Sequence, residues 1–194
     1  MVRVGTIYDS ITPPLRAFIA QQPVFFVATA PIAEDGLINL SPKGLDGTFV
    51  VVDDHRVAYL DLMGSAGETV AHVRENGRIT ILFNAFSGPP RIVRLYGRAT
   101  WHEPGDEPFA ELLSLFTYHR GTRSIIDVRV ERIADSCGFG VPTMSLDAQR
   151  THLGKWADRR DRDSLLDYKE SHNESIDGLP ILSRPGVHID LHEQ

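Results

Sequence analysis

The sequence predicts a mainly β protein with flanking helices, in which a closed antiparallel barrel carries a helical C-terminal extension. Short apolar runs recur through the first hundred residues, turn-forming segments separate them, and few helical stretches interrupt them. Closing such strands into a barrel removes exposed sheet edges. The 194 residues suffice for one domain with an appendage. We place the barrel domain at residues 1–142 and the extension at 143–194.

The first half of the chain predicts one helix and two hairpins. Thr12 is the expected N-cap of the helix, with Pro13 at its first position. Four apolar residues then share one helix face, namely Ile11, Leu15, Phe18 and Ile19. The expected strands are 24–30 and 37–40, joined by a turn at Asp35-Gly36, and 49–52 and 56–62, joined by a turn at 53–55.

The second half predicts alternating helices and strands. Residues 66–75 form a short helix closed by Asn76-Gly77, and strands follow at 79–86 and 91–101. Apolar residues recur at helical spacing between Phe109 and Phe116, and 124–134 is the expected last strand of the barrel. After residue 142 the sequence indicates charged helix and then an irregular tail.

Composition excludes several classes of partner. The chain is 42% hydrophobic and 24% charged, and no apolar run approaches the roughly 18 residues of a membrane span, so no membrane partner is expected. The net charge of −6 disfavours a nucleic-acid partner, which needs a basic face. The single cysteine and the absence of an apolar signal region lead us to expect a cytoplasmic setting.

One candidate anion site lies where strand 56–62 leads through Gly64-Ser65 into a helix. Free backbone N–H groups, the Ser65 hydroxyl and Thr69 one turn later could hold a phosphate at the positive end of that helix. The same residues also match the S-x-x-E capping box, in which Ser65 caps the helix and Glu68 reaches back to it. Both interpretations stay open.

Two cations could complete this anion site. Lys43 ends the segment NLSPKG and Arg94 lies in the segment RIVRLYG, so a barrel could bring both to a ligand near Ser65. The alternatives are a solvated turn lysine and an outward-facing arginine that resists aggregation.

Motifs for other chemistries are absent from the sequence. It contains no H-E-x-x-H, paired C-x-x-C, G-x-S-x-G or G-x-G-x-x-G. His188 and His192 have i, i+4 spacing but lie in a terminal tail, so we predict no metal site. No catalytic residue is assigned.

Three blocks of the sequence carry a family resemblance. NLSPKG, YLDLMGSAGETVAHVRENGRITILF and RIVRLYGRA resemble blocks of the pyridoxamine 5'-phosphate oxidase-related family, the split barrels that bind flavin mononucleotide (FMN). The resemblance covers roughly 24–101, and SCGFGVP with SIDGLP is similar to an uncharacterised branch. It implies a Greek-key split β-barrel that forms a homodimer, with FMN at the subunit interface.

The resemblance also implies a set of cofactor-binding residues. The strand matching 39–43 lines the flavin ring and ends in a phosphate-binding cation, and the turn and helix matching 64–69 hold the phosphate. The full expected set is Asn39, Leu40, Ser41, Pro42, Lys43, Leu62, Gly64, Ser65, Thr69 and Arg94. The tail ending GVHIDLHEQ does not match the family's C-terminal substrate-phosphate motif, so vitamin B6 oxidation is not expected.

Two functions follow from these expectations. The first is an FMN-dependent oxidoreductase acting on a small molecule through the flavin. The alternative is a non-catalytic barrel that holds haem, the deazaflavin F420 or flavin for storage, sensing or delivery. The sequence does not separate them.

Overall fold

A computed structural model describes residues 5–64, 67–117 and 121–187 of the chain. Its strands are β1 Ile7–Tyr8, β2 Val24–Thr29, β3 Asn39–Gly44, β4 Phe49–Val51, β5 Arg56–Leu62, β6 Arg78–Asn84, β7 Ile92–His102 and β8 Thr122–Ser136. Its helices are α1 Pro13–Ala20, α2 Glu68–Asn76, α3 Glu107–Leu113, α4 His152–Asp158 and α5 Arg162–Ser171. The prediction of a mainly β protein with flanking helices is confirmed.

All the strands belong to one antiparallel sheet that curls into a half-barrel. Its strand order is β3-β2-β6-β7-β8-β5-β4, with β1 paired to β8. The order ends at β3 on one side and β4 on the other, so the barrel is split between these two strands. Only 45–48 connect them along the chain, which keeps the two edges close together.

Alternating side chains of the curled sheet form the core. On β2, Phe25 and Val27 are buried while their neighbours are half-buried, as expected for a strand with one face inward. The Phe25 ring contacts the rings of Phe49 and Phe83 at centroid distances of 4.9 and 5.7 Å. The core therefore bridges the split between the two sheet edges.

Several predicted boundaries shift in the structure. NLSPKG is strand β3 itself, and Leu37 and Ile38 are exposed outside it. Helix α2 begins at Glu68, with Gly67 as its N-cap, and ends as predicted at Gly77, which has a φ of 68°. At α1, Thr12 occupies the N-cap position without a side-chain hydrogen bond.

The C-terminal region packs against the sheet domain. Residues 173–187, here called the C-terminal strap, follow α5 and bury Ile181 and Leu182 in the main core. The Glu103 carboxylate accepts hydrogen bonds from the backbone N–H groups of Ser183 and Arg184 at 2.7 and 2.8 Å. The strap is therefore part of the folded unit. None of the helices found in the described ranges is both long and apolar enough to cross a membrane.

Candidate functional site

The polar side chains of β3 face the same side of the sheet as the core residues of β2. Asn39, Ser41 and Lys43 pair with Thr29, Val27 and Phe25, whose side chains are buried. Directly paired residues of antiparallel strands project from the same face. The alternate residues Leu40 and Pro42 therefore face outward, and both are exposed.

Asn39 is the centre of a hydrogen-bond network. Its amide nitrogen donates to the hydroxyl oxygens of Thr29 and Thr69, at 3.0 Å each. Its amide oxygen accepts a hydrogen bond from the Ser41 hydroxyl at 2.7 Å. The network joins β2, β3 and the first turn of α2, so the Thr69 hydroxyl holds this strand in place. The sequence predicts Thr69 as a phosphate ligand, whereas here its hydroxyl accepts a hydrogen bond from Asn39.

The entrance to α2 differs from the predicted capping box. Gly67 occupies the N-cap position, and the Glu68 carboxylate accepts a hydrogen bond from the backbone N–H of Ile176 in the strap at 3.3 Å. Ser65, the predicted cap or phosphate ligand, lies outside the described residues. The first turn of α2 is therefore tied to the C-terminal strap through Glu68.

Lys43 lies close to the end of β5, from which the predicted phosphate turn departs. Asp61 on β5 is buried, and burial alone would raise the pKa of its carboxyl group. The Arg123 guanidinium, which donates to Asp61 at 2.7 and 3.2 Å, and then the Lys43 ammonium together hold that pKa below its ordinary value. The charge of Lys43 thus acts on a residue three positions before Gly64.

A cleft of about 420 Å³ joins three of the predicted site residues. Pro42, Lys43 and Leu62 line one side of it, together with Met63. Arg150, His152 and Leu153 line it from the C-terminal extension. The volume lies within the usual range for small-molecule sites. The fold therefore brings the end of β3, the end of β5 and the start of α4 around one concave site.

The predicted convergence of Arg94 with Lys43 is wrong within one chain. Arg94 on β7 pairs with Leu82 on β6, Leu82 lies opposite Phe26, and Phe26 lies opposite Pro42. This register places Arg94 on the outward face of the sheet, opposite to Lys43. Its guanidinium donates to the Ser136 hydroxyl at 2.9 Å. The sequence pattern could not predict the outward position of Arg94, because strand register decides which face of the sheet an arginine occupies.

Two buried polar groups near this network were missed by sequence reasoning. The His72 ring lies 3.0 Å from the Thr29 hydroxyl through Nδ1, while its Nε2 has no partner among the described residues. Burial lowers the pKa of His72. The only available signal was the spacing of His72, one turn after Thr69 on the same helix.

The Tyr59 hydroxyl is the second buried group. It has no hydrogen bond of acceptable geometry within the described ranges. Burial raises the pKa of Tyr59 well above its ordinary value, the Asp61 charge adds to this, and the Thr69 side chain opposes it. The Tyr59 hydroxyl is therefore a buried polar group that interacts with Thr69 and Asp61 inside an otherwise apolar barrel.

A metal centre has no support in the part of the chain that the structure describes, since no group of three or more suitable side chains lies together there. His188 and His192 fall outside that part.

The sequence matches a known protein family. The family model for pyridoxamine 5'-phosphate oxidase matches residues 11–137. A curated relative from Aspergillus flavus, the pyridoxamine 5'-phosphate oxidase family protein ustO, is 37% identical over 193 residues, covering 90% of this chain and 77% of the relative.

Solved structures share the fold at lower identity. HupZ from Group A Streptococcus superposes with a TM-score of 0.50 at 24% identity, over 63% of this chain and 91% of that one. A conserved protein of unknown function from Corynebacterium diphtheriae has a TM-score of 0.50 at 13% identity, over 70% of this chain and 99% of that one. These two likenesses support the fold alone.

Proposed function

This chain belongs to the pyridoxamine 5'-phosphate oxidase family, and we propose that it is an FMN-binding flavoprotein that oxidises or reduces a small molecule. The observation that carries the proposal is the cleft shared by Lys43 and Leu62, at which the ends of β3 and β5 meet. In this fold that meeting point combines a cation with the turn leading into α2, and a phosphate is held by those two features together.

The residues at the cleft fit the proposed cofactor. Lys43 supplies a positive charge, and the Asp61 carboxylate on which it acts is already paired with Arg123. Leu62, Met63 and Leu153 supply apolar surface for a flat ring system. A polar end and an apolar end therefore lie within one cleft.

Five of the predicted residues have a defined task in this proposal. Lys43 binds the phosphate, and the backbone of Gly64 begins the turn that surrounds it. Asn39 positions β3 against α2 through Thr69, and Ser41 fixes the orientation of the Asn39 amide. When bound, FMN would supply hydride or electron transfer to the substrate. The protein binds and orients the ring and excludes water from one side of it.

We also propose that the protein is a homodimer with the cofactor near the subunit interface. Leu37, Ile38 and Leu40 are 53%, 77% and 68% exposed along the β3 edge of the sheet. The strap adds Ile176, which is 71% exposed and lies beside Leu37 because Asp177 accepts the Leu37 backbone N–H at 2.9 Å. A contiguous apolar surface of this kind marks an interaction site. The cytoplasmic setting remains a prediction from the sequence.

Visible absorption spectroscopy of the purified protein tests the proposal. We expect the flavin bands after reconstitution with FMN, and bleaching when a reduced nicotinamide nucleotide is added under nitrogen. Flavin bands without bleaching or turnover would favour the non-catalytic storage or delivery function. A haem Soret band, or no uptake of FMN, would overturn the proposal.

A further inference from the structure

Four arginines lie side by side across four neighbouring strands. Arg78 on β6 pairs with Arg98 on β7, Arg98 pairs with Arg129 on β8, and Arg129 pairs with Arg56 on β5. Directly paired residues project from the same face of an antiparallel sheet. Since neighbouring strands lie about 4.8 Å apart, this set, here called the arginine row, extends over about 14 Å.

The arginine row lies on the outward face of the sheet. Arg78, Arg98 and Arg129 are exposed, and Arg56 is half-buried. The neighbouring residues Ile79, Ala99 and Val128 are buried on the opposite face. The row therefore presents its guanidinium groups to solvent, on the face opposite to Lys43 and the proposed cofactor cleft.

Among the described residues, Arg56 is the one member of the row that a close ion pair neutralises. Arg56 donates to both carboxylate oxygens of Asp127 at 2.9 and 2.8 Å, and His102 lies 3.6 Å from the same carboxylate. The Arg129 side chain makes no hydrogen bond or ion pair within residues 5–64, 67–117 and 121–187. The Asp53 and Glu111 carboxylates also act on Arg56, so the excess of positive charge in the row lies at Arg129 and its neighbour Arg98.

The other two members cap the end of α2 without being neutralised. Arg98 donates one N–H to the backbone oxygen of Asn76 at 2.7 Å. Arg78 donates to the Asn76 side-chain oxygen at 3.2 Å and to the backbone oxygen of Pro31 at 3.4 Å. A guanidinium has five N–H donors, so both retain donors for a ligand. The partial negative charge of a helix C-terminus favours a cation there, which accounts for Arg78 and Arg98. It does not account for the position of Arg129 or for the alignment of the four arginines.

Like charges placed directly opposite each other in a sheet destabilise it. The chain as a whole carries a net charge of −6, so this concentration of positive charge is not a result of composition. The Glu131 carboxylate lies in an adjoining hollow, lined also by Arg78, Tyr96 and Arg98. Its charge offsets part of the positive charge in that hollow, so an anion is attracted most strongly between Arg98 and Arg129.

We propose that the arginine row binds an oligophosphate chain, either inorganic or carried by a nucleotide. Guanidinium groups recognise phosphate oxygens through paired N–H donors. A single phosphate can engage Arg98 and Arg129, whereas a chain of phosphates can also reach Arg78. The linear arrangement therefore selects an extended polyanion over a single tetrahedral anion.

Calorimetric titration with sodium tripolyphosphate at low ionic strength tests this site. We expect Arg98→Gln/Arg129→Gln to weaken binding about tenfold or more, because two adjacent charge-assisted contacts are lost. The control Lys155→Gln/Arg159→Gln makes the same charge change on exposed residues of α4 and its C-cap, and we expect less than a twofold effect. The tripolyphosphate affinity can be measured whether or not the protein is loaded with FMN.

Further arms of the titration identify the source of the phosphate chain. ATP binding more tightly than tripolyphosphate indicates a nucleotide ligand, and equal or weaker ATP binding indicates an inorganic one. Absence of tripolyphosphate binding would overturn the proposal, as would equal affinity in the row variant and the wild type. Equal affinity for sulfate and tripolyphosphate would also overturn it, because the row would then not select a chain.

The free protein provides a second test. We expect Arg129→Gln alone to raise the melting temperature at low salt, because it removes repulsion between opposed arginines, and we expect the gain to vanish at high salt. A lower melting temperature at low salt would show that Arg129 stabilises the sheet, and it would contradict the proposal.

Discussion

The amide nitrogen of Asn39 lies 3.0 Å from the hydroxyl oxygen of Thr69, which joins edge strand β3 to the first turn of α2. These two elements carry most of the predicted cofactor residues. Because the same amide nitrogen also bonds Thr29, one side chain fixes three elements at this end of the half-barrel.

Replacing Asn39 with Ala should destabilise the protein by about 1–3 kcal/mol, because buried hydroxyl groups lose their donor. We expect FMN affinity to fall as well, since β3 is no longer held against α2. Urea unfolding of the apoprotein and FMN titration measure the two effects. Ser41→Ala is the matched control and should cost about 0.5–1.5 kcal/mol of stability. Equal losses of stability in the two variants would show that Asn39 is not the centre of the network.

Replacing Lys43 with Ala should weaken FMN binding by about 1.5–3 kcal/mol, the scale of a charge-assisted hydrogen bond to phosphate. Fluorescence titration of apoprotein with FMN measures the change. Lys155→Ala removes an exposed lysine from α4 and should leave the affinity unaltered. If Lys43→Ala binds FMN as the wild type does, Lys43 is not part of the phosphate site.

Replacing Gly67 with Ala should destabilise the fold by about 1–3 kcal/mol through overpacking. An added Cβ would lie 2.7 Å from Cγ1 of Ile181 in the strap, too close for the side chain to remain in place. Thermal and urea unfolding measure the loss. Gly67 has a φ of −130°, so backbone strain does not contribute.

A double variant separates this contact from other causes. Ile181→Ala alone leaves a cavity, but Gly67→Ala added to it should cost little because the opposing side chain is gone. Gly154→Ala serves as the helix control, since nothing lies within 4 Å of its added Cβ, and it should be neutral or stabilising. Additive losses in the double variant would show that Gly67 and Ile181 do not interact.

Stability should rise with pH in the alkaline range because of Lys169. Burial lowers the pKa of this lysine to about 8, against an ordinary value near 10.5. Between those values the unfolded chain binds the extra proton and the native state does not, so raising the pH favours folding. The gain is at most about 3 kcal/mol. Lys169→Met should abolish this rise in urea-unfolding curves measured from pH 7.5 to 10.5. If stability still rises with pH in the variant, groups other than Lys169 cause the rise.

The local order of elements could be predicted from the sequence. Thr12-Pro13 and Asn76-Gly77 mark helix ends through backbone geometry, and both ends occur as expected. The short apolar runs at 24–30 and 56–62 likewise predicted strands at the right places. Each of these signals acts within a few residues, which is why a single sequence reveals it.

Features that depend on long-range register could not be predicted. Arg94 faces away from Lys43, and Arg56 meets Arg129, because of pairings between strands distant in the chain. Strand β1 has two residues and exists through its pairing with β8. The strap has no periodic pattern, so its contact with Gly67 has no sequence signal.

The burial of Ile181 affects how the protein is made. Ile181 and Leu182 complete a core whose other buried members lie between residues 11 and 133, so the core is incomplete until both have been synthesised. A chain that stops before position 181 lacks the side chain that packs over Gly67. We expect such a chain to expose apolar surface, to bind chaperones and to be prone to degradation.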